Sequence, residues 1–98
     1  MRLAFLPPAA QDVARALGWY ERQRTGLGAD FVEELARLLA LVAASPSLFP
    51  VIHRGTRRAL LRRFPYLVFF RVQEDIVIVV AVFHSSRDPR RWADREQT

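Results

Sequence analysis

Tyr66-Leu67-Val68-Phe69-Phe70-Arg71-Val72-Gln73-Glu74-Asp75-Ile76-Val77-Ile78-Val79-Val80-Ala81-Val82-Phe83 decides the architecture. Two runs rich in valine, isoleucine and phenylalanine are parted by two acidic residues. Such residues favour strands over helix. Glu74-Asp75 is short enough to join them as a hairpin, although neither residue is the glycine such turns prefer. The apolar residues barely alternate with polar ones. Both strands are therefore expected at the centre of a sheet, covered by helices on at least one face.

Working back from this hairpin, Ala59 to Arg63 reads as a shorter strand that Phe64-Pro65 interrupts. Ser47 to Thr56, with Pro50 and Gly55, reads as a loop. Before it lie two helical patterns. Val13, Leu17 and Tyr20 recur at helical spacing after Pro7-Pro8, a pair that fits a first helical turn. Asp12 is read there as a charge near the helix N-terminus. Gly26-Leu27-Gly28 supplies the stop near Arg24. The second helix is expected from about Ala29, with Asp30, Glu33 and Glu34 in its first turn. Its buried stripe is Phe31, Leu35, Leu38, Leu39 and Val42, and Ser45-Pro46 closes it. Arg2 to Leu6 reads as a first strand. Asp88-Pro89 begins a tail, Arg90 to Thr98, that has room for one helical turn. The order β-α-α-β-β-β predicts a two-layer α+β domain spanning 1–98, with a helical hairpin packed on a mainly antiparallel sheet.

Composition limits the function classes. At 98 residues the chain supports one core and buries about 60–70% of its unfolded surface. It has no cysteine, which excludes disulfides and thiolate metal sites. Two isolated histidines, His53 and His84, argue against a metal centre, and no glycine-rich phosphate loop is visible. The longest apolar runs, Leu38 to Ala44 and Ile76 to Phe83, are too short to span a membrane. With no signal peptide evident after Met1, the expected location is the cytoplasm.

The net charge is +5, and all fifteen basic residues are arginine. Arginine pairs bidentately with phosphate or carboxylate but is a poor proton shuttle. A basic balance of this size fits a nucleic acid, a nucleic-acid machine or an acidic protein, and equally a plain soluble surface. The candidate anion-binding face is Arg57, Arg58, Arg62 and Arg63, with Arg87, Arg90 and Arg91 further on. Adjacent strand residues point to opposite faces, so one arginine of each pair should face the helices. Arg58 and Arg62 would share a face if the strand is unbroken. Such charges also suit a solvated edge strand. His84 follows a buried strand and could cap the sheet or, with Arg63 and Arg87, form a proton-transfer set. Arg87-Asp88 has an alternative reading as a local salt bridge. His53 is expected on the surface. Trp19 is a candidate partner contact, with a second core face the more ordinary reading, and Trp92 is expected to pack the tail onto the sheet.

Several pieces recur together in one order: Trp19-Tyr20-Glu21; Gly26-Leu27-Gly28 with Phe31, Glu34 and Leu35; Pro46 and Phe49-Pro50; Arg58 through Tyr66; and Ala81-Val82-Phe83-His84-Ser85-Ser86-Arg87-Asp88-Pro89 with Trp92. On these residues the chain resembles the RelE/ParE superfamily of bacterial type II toxin–antitoxin toxins along nearly its whole length. The resemblance implies a growth inhibitor without a cofactor, neutralised by a cognate antitoxin that lays helical or extended segments across it. It reaches operator DNA only through that complex. Some members cleave mRNA in the ribosomal A site, whereas ParE-type members inhibit DNA gyrase without known hydrolysis.

RNA cleavage needs a base, a cation at the phosphate and an acid. The ribonuclease members use a lysine or glutamate as base and often a late tyrosine or histidine. This chain has no lysine, no carboxylate between Glu34 and Glu74, and no tyrosine after Tyr66. The departure favours a ParE-like inhibitor of gyrase. The alternatives are an mRNA endoribonuclease using His84, Arg63 and Arg87, and a degenerate toxin serving only antitoxin binding and operon repression.

Overall fold

A computed structural model describes residues 1–87 and 90–96, with the side chains of Arg90, Asp94 and Glu96 excepted. A strand, β1 (Arg2–Phe5), leads into two helices, α1 (Pro7–Gln23) and α2 (Leu27–Ala44). A 3-10 turn over Pro46–Leu48 then precedes four strands: β2 (Val51–His53), β3 (Thr56–Leu60), β4 (Tyr66–Gln73) and β5 (Ile76–His84). A short helix, α3 (Arg90–Glu96), follows. The sheet order is β1-β5-β4-β3-β2, antiparallel except where β1 runs parallel to β5. The expected α+β class, helical hairpin and central β4–β5 pair are present.

Each turn has a local cause. Glu74 takes a φ of 57°, so the acidic hairpin forms at the cost of left-handed backbone that glycine would adopt freely. In the α1–α2 turn, Gly26 has a φ of 91°, and the Glu21 carboxylate accepts the N–H groups of Gly26 and Gly28 at 3.0–3.1 Å. Gly28 is also a contact point. A Cβ there would lie 2.7 Å from the Leu17 carbonyl oxygen, so only glycine lets the helices meet this closely.

The helices cover one face of the sheet. Phe31, Leu35, Leu39 and Val42 of α2 and Ala9, Ala16 and Tyr20 of α1 pack on Val68, Phe70, Val77, Val79 and Val82. Tyr20, Phe31, Phe64 and Tyr66 form an aromatic cluster with centroids 4.8–6.0 Å apart. The opposite face carries Phe69, Val80, Ala81 and Phe83, covered by Trp92 of α3. A register shift between Phe69 and Phe70, opposite Ala81 and Val79, leaves Val80 as an extra residue. This bulge lets consecutive buried residues serve both faces.

Several boundaries differ from the sequence expectations. The span expected to be a loop contains β2, whose hairpin to β3 turns on Arg54 and Gly55, both at positive φ. β3 occupies Thr56–Leu60 rather than 59–63. Leu61 and Phe64 are buried, but as core contacts of the connecting bend. The strand is therefore broken before Arg62, and Arg58 and Arg62 do not share a strand face. α2 starts at Leu27, so Asp30 alone is acidic in its first turn. α3 spans seven residues, longer than the single turn expected.

Candidate binding clefts around the open edge of the sheet

β1 pairs with β5 only over Ile76–Val79, because Pro7 turns the chain into α1. Beyond Val79, β5 would present unpaired backbone to that side. Side chains take the missing strand's place. Asp12 of α1 accepts the Val82 N–H at 2.9 Å, and Arg95 of α3 donates to the Val80 carbonyl at 3.1 Å. Arg95 also forks onto Asp12 at 2.7 and 3.1 Å. The Asp12 side chain is 1% exposed, so this ion pair is a buried, doubly hydrogen-bonded tie between α1, β5 and α3. Asp12 is thus an edge clamp, not the helix-terminus charge its sequence position suggested; the first turn of α1 holds no acidic residue.

Beside the clamp lies a cleft of about 460 Å³ between α1 and the end of the sheet. Arg15, Trp19 and Arg22 form the helix wall, and Tyr66, Val82, His84 and Arg87 the sheet wall. His84 sits opposite Tyr66 in the strand register, its ring 5.3 Å from the phenol. The Ser86 backbone N–H donates to His84 Nδ1 at 3.1 Å, and the Ser86 hydroxyl lies 2.8 Å from the same nitrogen. A nitrogen that accepts from an N–H carries no proton, so neutral His84 holds its proton on Nε2. His84 is therefore arranged as a hydrogen-bond donor.

Burial pulls the Arg87 guanidinium below its usual range; Asp12, 4.0 Å away, opposes this, while Arg95, Arg91 and Arg15 add to it. Arg87 lies 3.9 Å over the Phe83 ring, and Arg95 4.8 Å from it. Burial raises the Tyr66 phenol, helped by Tyr20 and Asp12. An anion entering the cleft would offset the mutual repulsion of the arginines.

Arg87 also lines a second cleft, of about 550 Å³, on the outer face with Arg58, His53, Ser85 and Trp92. Arg58 pairs with Phe69 in register and so lies on that face; Arg57 pairs with Phe70, on the helix-covered face, and donates to the Phe49 carbonyl at 2.6 Å. The expected division of the Arg57-Arg58 pair between faces holds. Trp92 stacks on Phe69 at 5.2 Å, as expected of a tail packed on the sheet. His53 is exposed but belongs to β2, 5.7 Å from Trp92. The Arg58 Nε and Trp92 Nε1 donors are buried with no acceptor among the described residues.

Arg62 and Arg63 belong elsewhere. The Glu34 carboxylate accepts both backbone N–H groups, at 2.6 Å from Arg62 and 3.2 Å from Arg63. The Arg63 guanidinium lies 3.6 Å from Asp30 and 5.4 Å over Phe64. Both arginines line a groove against α2 with Leu38, Leu41 and Leu60. The structure thus brings His84 and Arg87 together and leaves Arg63 out of their cleft. Arg91 is exposed. The Arg90 side chain and the anticipated Arg87–Asp88 pair lie outside the described residues. Trp19 is exposed, contrary to a second core face. Sequence reasoning missed Arg95, Ser86, and Arg15 and Arg22; only the i, i+4, i+7 spacing of Arg15, Trp19 and Arg22 signalled the last two.

Among the described residues, no three His, Cys, Asp or Glu side chains converge where a metal could be held. No described helix is long and apolar enough to cross a membrane.

A helical hairpin on a mixed five-stranded sheet, with arginine-lined clefts at one sheet end, defines a small basic α+β domain. The family model described as "ParE toxin of type II toxin-antitoxin system, parDE" matches residues 3–89, and the chain belongs to that family. No curated protein matches it. Among solved structures it is similar to "Chromosomal ParDE TA system from P. aeruginosa", with a TM-score of 0.75 and 18% identity, covering 86% of this chain and 95% of that one. At that identity the likeness concerns the fold.

Proposed function

We propose that this toxin arrests growth by binding DNA gyrase, that it does so without cutting RNA, and that a cognate antitoxin neutralises it in the cytoplasm. The observation that carries the binding mode is the state of His84. Its basic nitrogen is already engaged by Ser86. To accept a substrate proton there, His84 would have to give up that contact, and no lysine exists to replace it. The target-binding groups are the arginines of the outer face, Arg58 and Arg87, with Arg91 beside them. The Arg57 and Arg63 guanidinium groups are held by the Phe49 carbonyl and Asp30 and act as supports, and Arg62, tied to Glu34 through its backbone N–H, lies in the separate groove against α2.

A supercoiling assay with purified gyrase tests this reading. Wild-type protein should inhibit, and Arg58→Gln with Arg87→Gln should lose at least about tenfold in potency while remaining folded. Uninhibited supercoiling at micromolar toxin would refute it. The ribonuclease reading keeps one supporting observation, the placement of His84, Arg87 and Tyr66 along one cleft.

A further inference from the structure

The cleft beside α1 has the composition of a protein-binding hot spot and shares only Arg87 with the outer-face reading above. Arg15, Trp19 and Arg22 stand at i, i+4 and i+7, so they form one stripe along the helix. Seven residues at 1.5 Å each put the two arginines about 10 Å apart, with the tryptophan between them. Trp19 is 51% exposed, an unusual state for an indole unless a partner covers it. Its ring is braced edge-on against Tyr20 at 5.1 Å, so little ordering would be needed on binding. Ala14 and Gly18 also line the cleft and keep its floor low. A Cβ on Gly18 would lie 3.3 Å from the Arg22 guanidinium, so the glycine leaves that arginine room to lie along the helix.

The charges are unbalanced. Arg15 and Arg22 make no ion pair with a described residue, and the carboxylate that lines the cleft, Asp12, is taken up by Arg95 and the Val82 N–H. Across the cleft His84 presents Nε2–H, a single donor suited to a carboxylate, beside the half-buried Tyr66. Tryptophan, tyrosine and arginine are the residues that dominate binding energy in protein interfaces.

We propose that the Arg15–Trp19–Arg22 stripe is the docking surface of the neutralising antitoxin, and that it receives an acidic helical segment. One apolar side chain of that segment covers Trp19. Carboxylates about one turn to either side meet Arg15 and Arg22. A helix fits better than a nucleic-acid strand because the stripe is a straight ridge with a low floor of Ala14 and Gly18. This inference rests on the toxin–antitoxin reading above and locates one partner on it.

The test uses the product of the reading frame beside this one as the antitoxin. Growth rescue is scored for wild type, Arg15→Glu with Arg22→Glu, and Trp19→Ala, all at exposed positions where folding should survive. Binding is followed by titration calorimetry, which needs no tryptophan probe. The expected result is full toxicity of both variants, loss of rescue, and at least about a tenfold loss of affinity. Rescue equal to wild type would overturn the docking surface while leaving the toxin assignment standing. Variants that fold but lose toxicity would also overturn it, by making the stripe part of the target contact. So would labelled single-stranded DNA that binds wild type and not the Arg15/Arg22 variant while rescue is untouched. A wild-type protein that does not arrest growth, or is not rescued, would remove the reading beneath it and this proposal with it.

Discussion

The two faces of the sheet are finished by different means. The inner face is closed by two helices of 17 and 18 residues and an apolar core that includes fully buried Phe31, Val42, Val68 and Phe70. The outer face is closed by a seven-residue helix and one stacked indole, and that helix is tied at the sheet edge by the charged clamp of Asp12 and Arg95. Burial of apolar area is non-directional and tolerant. A clamp of charges is neither, since it stabilises only when every partner is present. The inner face should therefore hold the fold, and the outer face should hold the arginines in position.

Mutations can break this contrast. Phe31→Ala should have the largest effect, about 3–5 kcal/mol, because it empties the centre of the aromatic cluster. Urea unfolding should show a lower midpoint with little change in slope; a loss under about 1 kcal/mol would mean the inner face is not the main source of stability. Asp12→Ala should cost about 3 kcal/mol, toward the low end for a buried pair because Arg95 keeps 16% exposure. It leaves the Val82 N–H without its acceptor and takes from the Arg95 guanidinium its carboxylate, with the Val80 carbonyl still in reach. Replacing both Asp12 and Arg95 by alanine should cost less than the sum of the single changes, and strict additivity would show that the clamp is not a unit.

Trp92→Phe should be cheaper than a core truncation, within about 1–2 kcal/mol, because it removes an indole N–H that has no acceptor among the described residues while keeping the stack on Phe69. A loss as large as that of Phe31→Ala would erase the distinction between the faces. The smallest effect is alkaline. Burial raises the phenols of Tyr20 and Tyr66 above their ordinary value of about 10. The folded state then holds these protons more tightly than the unfolded chain. Their contribution is complete below about pH 10 and declines as pH rises through the raised values. Melting temperature should fall more steeply above that pH in wild type than in Tyr66→Phe, and parallel curves would contradict the assignment.

The inner face was largely legible in the sequence because it is written in periodicity. The Phe31–Val42 stripe, the two valine-rich strands and the Gly26-Leu27-Gly28 turn all rest on neighbours a few residues apart. The outer face was less so. Asp12 and Arg95 are 83 residues apart, and no local pattern announces that one will meet the other. β2, three residues long and bounded by Pro50 and the turn at Arg54-Gly55, is too short to carry an alternation. β3 was placed too late because Leu60-Leu61 reads as strand, whereas Leu61 and Phe64 are buried by a bend that Glu34 holds from α2. The same bend separates Arg62 and Arg63 from Arg58. A basic run that looks like one face in sequence therefore supplies two different sites.

The central claim is that this toxin binds its target and leaves RNA intact. Primer extension on translated mRNA, after brief induction without antitoxin, tests it most directly. The account predicts arrested growth with full-length mRNA; cuts at ribosomal A-site positions that disappear in His84→Ala would contradict it and make His84 a catalytic group.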